Sequence, residues 1–315
     1  MVWSNRLGVA AGVRRQISSN SNGPPSVRVL VLSRKEEEMT NRKTDARFAE
    51  LKTYCEQEAR VDPHDFHCKC FDDCKASIAK GLEFIPGGLA YIGDEYDTNV
   101  GGVETRILFV GYDCGRGCAD LDTRRAEIQE YKCPLNPHYR GIVKVMMEIS
   151  QTMCGSEEEK NLWKPLLRKM AQTNAARCCA PRNGWMGTNT TAEMQKNCWT
   201  HLRKEIEILS PTLILFHGAR LKWPFLRNVQ SEANQALPQP LLEAYKEHCQ
   251  VIDWTAFPKR FRSVLLFFSH PARGHFGNQW ESKVAPVLQL LVEHKYLPPR
   301  DRGWEPRSQE EWPKI

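Results

Sequence analysis

Short apolar runs at residues 107–110, 171–176, 212–216 and 264–268 read as buried strands, the one at 171–176 being the weakest of them. Helical periodicity occupies 142–152, 162–170, 192–209 and 280–294. A charged, sparsely apolar stretch at 35–60 predicts a further helix, leading into a cysteine-bearing loop at 65–75. Strands that alternate with helices imply parallel pairing, because a crossover helix must return the chain to the same sheet edge. The expected architecture is α/β: a three-layer α/β/α sandwich with a central four-stranded parallel sheet. Each strand exits into a polar segment, GYDCG, TNAARCC, HGA or SHPARGHFG, with Gly218 and Pro271 marking two exits as tight turns. Parallel pairing would gather these segments at the carboxyl edge, where open α/β sheets bind ligands.

Composition bounds the function classes. With 315 residues and 41% hydrophobic content the chain can bury one large core or two modest ones, and no apolar run approaches membrane length. The net charge of +6 permits a polyanionic partner without demanding one. Twelve cysteines cluster as Cys68, Cys70 and Cys74, as Cys114 and Cys118, and as Cys178 and Cys179. In the absence of a secretory signal such clusters mean metal binding or reactivity more often than disulfides. Residues 1–35 carry Arg6, Arg14, Arg15, Arg28, Arg34 and Lys35 with several serines and no acid, the composition of a mitochondrial transit peptide or of a disordered basic tail. The expected organisation is this tail, a helical cysteine-bearing segment at 36–99, an α/β domain at 100–296 and a C-terminal tail at 297–315. An intracellular location, mitochondrial or nuclear, follows from the same features.

Candidate chemistry starts at RILFVGYDCGRG, residues 106–117, where an apolar run ends in Gly111 and presents one carboxylate, Asp113. Alone this is as compatible with an ordinary βα connection as with an active-site loop. Read with NPHYRG at 136–141, TNAARC at 173–178, NCWTHLRKEIEILSPTLILFHG at 197–218 and SHP at 269–271, the chain resembles the uracil-DNA glycosylase superfamily over most of residues 68–296. It is most similar to the iron–sulfur-containing branches.

The resemblance implies a DNA glycosylase of base-excision repair, acting as a monomer on DNA that contains uracil or another damaged base. Cleavage of an N-glycosidic bond proceeds through an oxocarbenium-like sugar with the base leaving as an anion. Asp113 would orient water and stabilise the sugar cation, and His270 would donate to the developing enolate oxygen. The flipped base would be read by Asn174, whose amide offers both a donor and an acceptor, and stacked on Tyr139. The backbone of Gly111, Tyr112 and Cys114 would line the same pocket. Arg273, His275 and Phe276 would grip DNA and fill the vacated stack, with Arg116, Arg140, Arg220 and Lys222 as further phosphate contacts.

The same branches hold a 4Fe-4S cluster on four thiolates, which nominates Cys70, Cys74, Cys178 and Cys198, with Cys68 as the alternate for one of the first pair. Zinc on the same sulfurs, or no metal, remains the alternative. Two positions depart from the family pattern. Cys114 stands where many members have proline, and Gly115 leaves the pocket without the bulky side chain that excludes thymine in some branches. Hypoxanthine, mispaired thymine and other lesions therefore stay open as substrates. So do two other readings: an inactive nucleic-acid-binding protein of this fold, and a metal-containing structural or redox protein.

Overall fold

A computed structural model describes residues 34–58, 67–85, 87, 90–97, 99–100, 103–112, 125–126, 137–154, 163–181, 188–218, 221–229, 234–236, 248–268 and 286. All lie in one compact unit, Ser33–Ile315. The basic tail expected at 1–35 falls outside them apart from the first two residues of α1, and the helix expected at 280–294 falls outside them apart from Pro286.

The protein is mixed α/β. Its helices are α1 (Arg34–Glu58), α2 (Phe71–Ala76), α3 (Pro137–Cys154), α4 (Trp163–Arg168), α5 (Ala192–Leu209) and α6 (Lys222–Val229) among the described residues. A seven-stranded sheet is built from β1 (Tyr91–Ile92), β4 (Ile107–Gly111), β5 (Met170–Asn174), β8 (Leu213–His217), β9 (Asn234–Ala236), β10 (Cys249–Trp254) and β11 (Phe261–Phe268), in the order β1-β5-β4-β8-β11-β10-β9. Two small ribbons, β2 (Asn99–Val100) with β3 (Val103–Glu104) and β6 (Ala180–Pro181) with β7 (Thr188–Asn189), lie apart from it. The central pairs β5-β4, β4-β8 and β8-β11 are parallel. The edges are antiparallel, β1 on β5 and β10 with β9 beyond β11. The sheet is thus wider than the four strands expected, because β1 and β10 pair onto the outer apolar runs and β9 pairs onto β10.

Burial explains the parallel centre. Strands covered on both faces read as continuous apolar runs, and β4 is buried at every position. Its residues split by alternation: Leu108 and Val110 join one core with Met194, Leu202 and Ile206 of α5 and Phe225 and Leu226 of α6. Ile107 and Phe109 join the other, with Ile142, Met146 and Ile149 of α3 and Leu166 and Leu167 of α4. No described helix is long and apolar enough to cross a membrane.

Helix α5 starts and stops on local chemistry. The Thr191 side chain accepts the Met194 N–H at 3.1 Å, capping the first turn. Ser210 ends the helix in the left-handed region (φ 43°) and donates its N–H to Ile206 O at 2.8 Å. The Ser210 carbonyl accepts from Arg106 Nε at 2.6 Å, tying this end of the helix to the start of β4. The segment expected at 36–99 is tied to the rest of the fold at several points. Besides β1, the buried Asp97 accepts from Thr44 Oγ1 (3.2 Å) and Arg47 Nε (3.0 Å) of α1, while Arg47 Nη1 donates to Ile208 O of α5 at 2.5 Å.

Candidate functional site at the carboxyl edge of the sheet

The parallel register brings the strand exits together. Gly111 of β4 pairs with Asn174 of β5, and Phe268 of β11 pairs with His217 of β8. Pairing continues past the strands, with Ala175 N–H on Gly111 O at 2.8 Å and Ala176 N–H on Tyr112 O at 3.3 Å. Gly218, at φ +128°, turns the chain out of β8 and donates to Phe268 O at 2.8 Å. In the sequence Asp113 follows Tyr112 directly and His270 stands two residues past Phe268. Asp113, Cys114, His270, Arg273, His275 and Phe276 themselves lie outside the described residues, as do Arg116 and Arg220.

The two residues nominated to read a base lie on one face of the sheet at this edge. Asn174 is buried, and its alternation with Gln172 and Met170 puts it on the face that Tyr139 covers from the first turn of α3. Two histidines that sequence reasoning left without a role stand beside them. His217, at the end of β8, is 1% exposed, with its ring centroid 5.0 Å from that of Phe109, 5.3 Å from Phe268 and 5.4 Å from His138. His138 Nε2 is 3.0 Å from Gln172 Nε2. Both histidines sit inside the quoted motifs, NPHYRG and LILFHG, and that position was the available signal.

Searches against protein-family models and curated proteins returned no match.

The opposite face carries the nominated thiols. Cys68, Cys74 and Cys178 are buried in one core, Cys70 packs half-buried against it, and all are free thiols, as is Cys198 of α5. The Arg177 N–H donates to Cys198 Sγ at 3.2 Å, and Asn197 Nδ2 to Cys74 Sγ at 3.6 Å. Burial pushes the Cys198 thiol up to about 12, Arg177 opposes the rise, and Cys74 and Cys68 add to it. Burial likewise raises the Cys68 and Cys74 thiols, opposed by a backbone hydrogen bond from Cys70 at Cys68 and by the Asn197 amide at Cys74. The neighbouring Cys179 uses its backbone to bridge Ile85, at 2.8 and 3.0 Å. Among the described residues no three His, Cys, Asp or Glu side chains meet in the geometry of a formed metal site. Buried thiols with N–H donors on their sulfurs nevertheless fit a thiolate-held group in kind.

Between this cysteine cluster and the sheet lies a buried charge pair. Arg177 Nη2 and Glu205 Oε1 form an ion pair with both side chains 1% exposed, and Thr173 Oγ1 donates to Glu205 Oε2 at 2.5 Å. Arg177 follows Ala176 in the TNAARC exit, so this pair holds the backbone between Asn174 and Cys178 on α5. His201, one turn before Glu205 on α5, hydrogen-bonds through Nδ1 with Tyr54 Oη at 2.7 Å. Lys222, expected as a further phosphate contact, is buried instead. The side chain of Arg140 is not among those described.

Proposed function

We propose that the protein is a DNA glycosylase that accepts a flipped, damaged base, uracil first, and hydrolyses its N-glycosidic bond. The register of Gly111 against Asn174 carries this reading, because it sets a buried amide beside the strand exit that leads into Asp113. In the proposed site Asn174 pairs with the imide edge of the base and Tyr139 stacks on its face, while the backbone of Gly111, Tyr112 and Cys114 closes the pocket. Asp113 holds the attacking water and stabilises positive charge on the sugar. His270 donates to the base oxygen as negative charge develops there, so the base departs without first being protonated. Arg273, His275 and Phe276 act on the DNA around the vacated stack. The proposed fold is the three-layer α/β/α sandwich, with α3 and α4 on the reading face and α5 and α6 on the thiol face.

The thiol face is proposed to hold a 4Fe-4S cluster on Cys70, Cys74, Cys178 and Cys198, with Cys68 as the alternate for one of the first pair. Such a cluster supplies a structural staple between α2 and the sheet. Anaerobically purified protein is expected to show a broad visible band near roughly 400 nm, which zinc would not give.

The deciding assay is release of free base from single-stranded and duplex oligonucleotides. Wild type is expected to release uracil, and Asp113→Asn and His270→Ala to lose about 10²–10⁴ in rate. Wild type that releases no base from uracil, hypoxanthine or mispaired thymine would falsify the reading.

A further inference from the structure

We infer that Glu205 is a positioning residue for base reading: from the thiol face of the sheet it clamps both ends of the strand exit that carries Asn174. This rests on Asn174 being the reader of the base edge.

Thr173 and Arg177 flank Asn174, Ala175 and Ala176 in the TNAARC exit. Alternation along β5 turns Asn174 to one face of the sheet and Thr173 to the other, where α5 packs. There the two oxygens of one carboxylate are divided between the flanks. Glu205 Oε2 accepts from Thr173 Oγ1 at 2.5 Å, and Oε1 pairs with Arg177 Nη2. A third tie, from the Arg177 N–H to Cys198 Sγ at 3.2 Å, reaches the same helix face, because Cys198 and Glu205 stand two turns apart. On the strand side, the Ala175 and Ala176 N–H groups donate to Gly111 O and Tyr112 O at 2.8 and 3.3 Å. The backbone that presents Asn174 is therefore fixed by helix and strand together.

Stability alone does not account for a carboxylate here. Its neighbours on the buried face of α5, Leu202, Ile206 and Leu209, are apolar, and an apolar pair in place of Glu205 and Arg177 would serve the core as well, because both charges lose their hydration on burial. What the carboxylate adds is direction. It holds a hydroxyl and a guanidinium at hydrogen-bonding distance from one point, which sets the course of the segment between them. A reader that works through hydrogen bonds needs that precision, since an amide displaced by about 1 Å no longer meets the base edge in bonding geometry. A purely apolar contact would tolerate the same slip.

Substituting Glu205 strands Arg177, so the test is made at Thr173, whose hydroxyl can be removed without breaking the ion pair. In the full-length protein Thr173→Val is expected to raise KM for a uracil-containing strand about tenfold with kcat within about twofold, and Thr173→Ser to stay within about twofold of wild type on both. Loss of folded protein alone would do the reverse, lowering kcat at unaltered KM. Release of uracil by wild type together with unaltered KM in Thr173→Val therefore removes the positioning role and leaves the glycosylase standing. Amide hydrogen exchange supplies a readout that needs no activity: Thr173→Val should quicken the Ala175 and Ala176 amides about tenfold, and Thr173→Ser should leave them as in wild type. If wild type releases no base from any lesion, the glycosylase reading falls and exchange decides the clamp. Faster exchange at both amides in Thr173→Val then keeps it, and unaltered exchange overturns it.

Discussion

His138 Nε2 lies 3.0 Å from Gln172 Nε2, joining the first turn of α3 to the face of β5 that also carries Asn174. The direction of this hydrogen bond follows the tautomer of the His138 ring. The bond matters because the proposed stacking residue, Tyr139, is the next residue on α3, while the proposed edge reader is two residues along β5. One side-chain contact thus fixes the spacing of two groups on different elements. His138→Ala is expected to raise KM for a uracil-containing strand about fivefold to tenfold, the worth of one partly buried hydrogen bond, with kcat within about twofold. Gln172→Leu should do the same, and the double variant should be no worse than either single one. Additive losses would show that the two residues do not act as a unit.

The parts of the fold legible in the sequence are those whose burial is uniform. The four central strands announce themselves because both faces are covered, and α5 spans the residues its periodicity marks, with a threonine cap at one end and Pro211 just beyond the other. Strand β10 is concealed by polar residues that find partners only after pairing. Asp253 sits opposite Arg262 in a two-bond ion pair, and Trp254 Nε1 donates to Ser263 Oγ at 2.8 Å. Those same partners let β11 begin at Phe261, ahead of its apolar run at 264–268. Helix α6 is short and has Pro224 in its first turn, which removes a donor the helix does not need there but breaks the pattern in sequence. At the site, the strand exits are legible because parallel topology dictates where they meet. The His138 and Gln172 contact is not, since it spans 34 residues, and neither is the burial of Lys222.

The Arg177 and Glu205 pair puts a second relationship to the test. Both side chains are buried, so each charge depends on the other, with Thr173 adding one hydrogen bond. Removing one partner strands the other in a dry core, whereas removing both need not cost stability. Glu205→Gln is expected to lower unfolding stability by about 3–5 kcal/mol in urea. Arg177→Met with Glu205→Leu should recover most of that loss. A Glu205→Gln variant within about 1 kcal/mol of wild type would mean that Arg177 is neutralised by another group.

His201 gives the fold an acid limit. Its ring is buried against Tyr54 of α1, and its pKa is lowered from the usual 6.5 to about 4, by burial first and then by the charges of Arg177 and Lys69. The sign follows from where each state binds the proton. Below pH 6.5 the unfolded chain protonates this histidine while the folded chain does not, so the unfolded state gains. The contribution is complete above pH 6.5, is lost as pH falls toward 4, and changes no further below that, because both states then carry the proton. The difference amounts to on the order of 3 kcal/mol. His201→Gln keeps a hydrogen-bonding partner for Tyr54 and removes the titration, so the variant should lose less stability than wild type when urea unfolding is compared at neutral pH and near the lower limit. Parallel curves for the two proteins across that range would show that the buried ring does not set the acid limit.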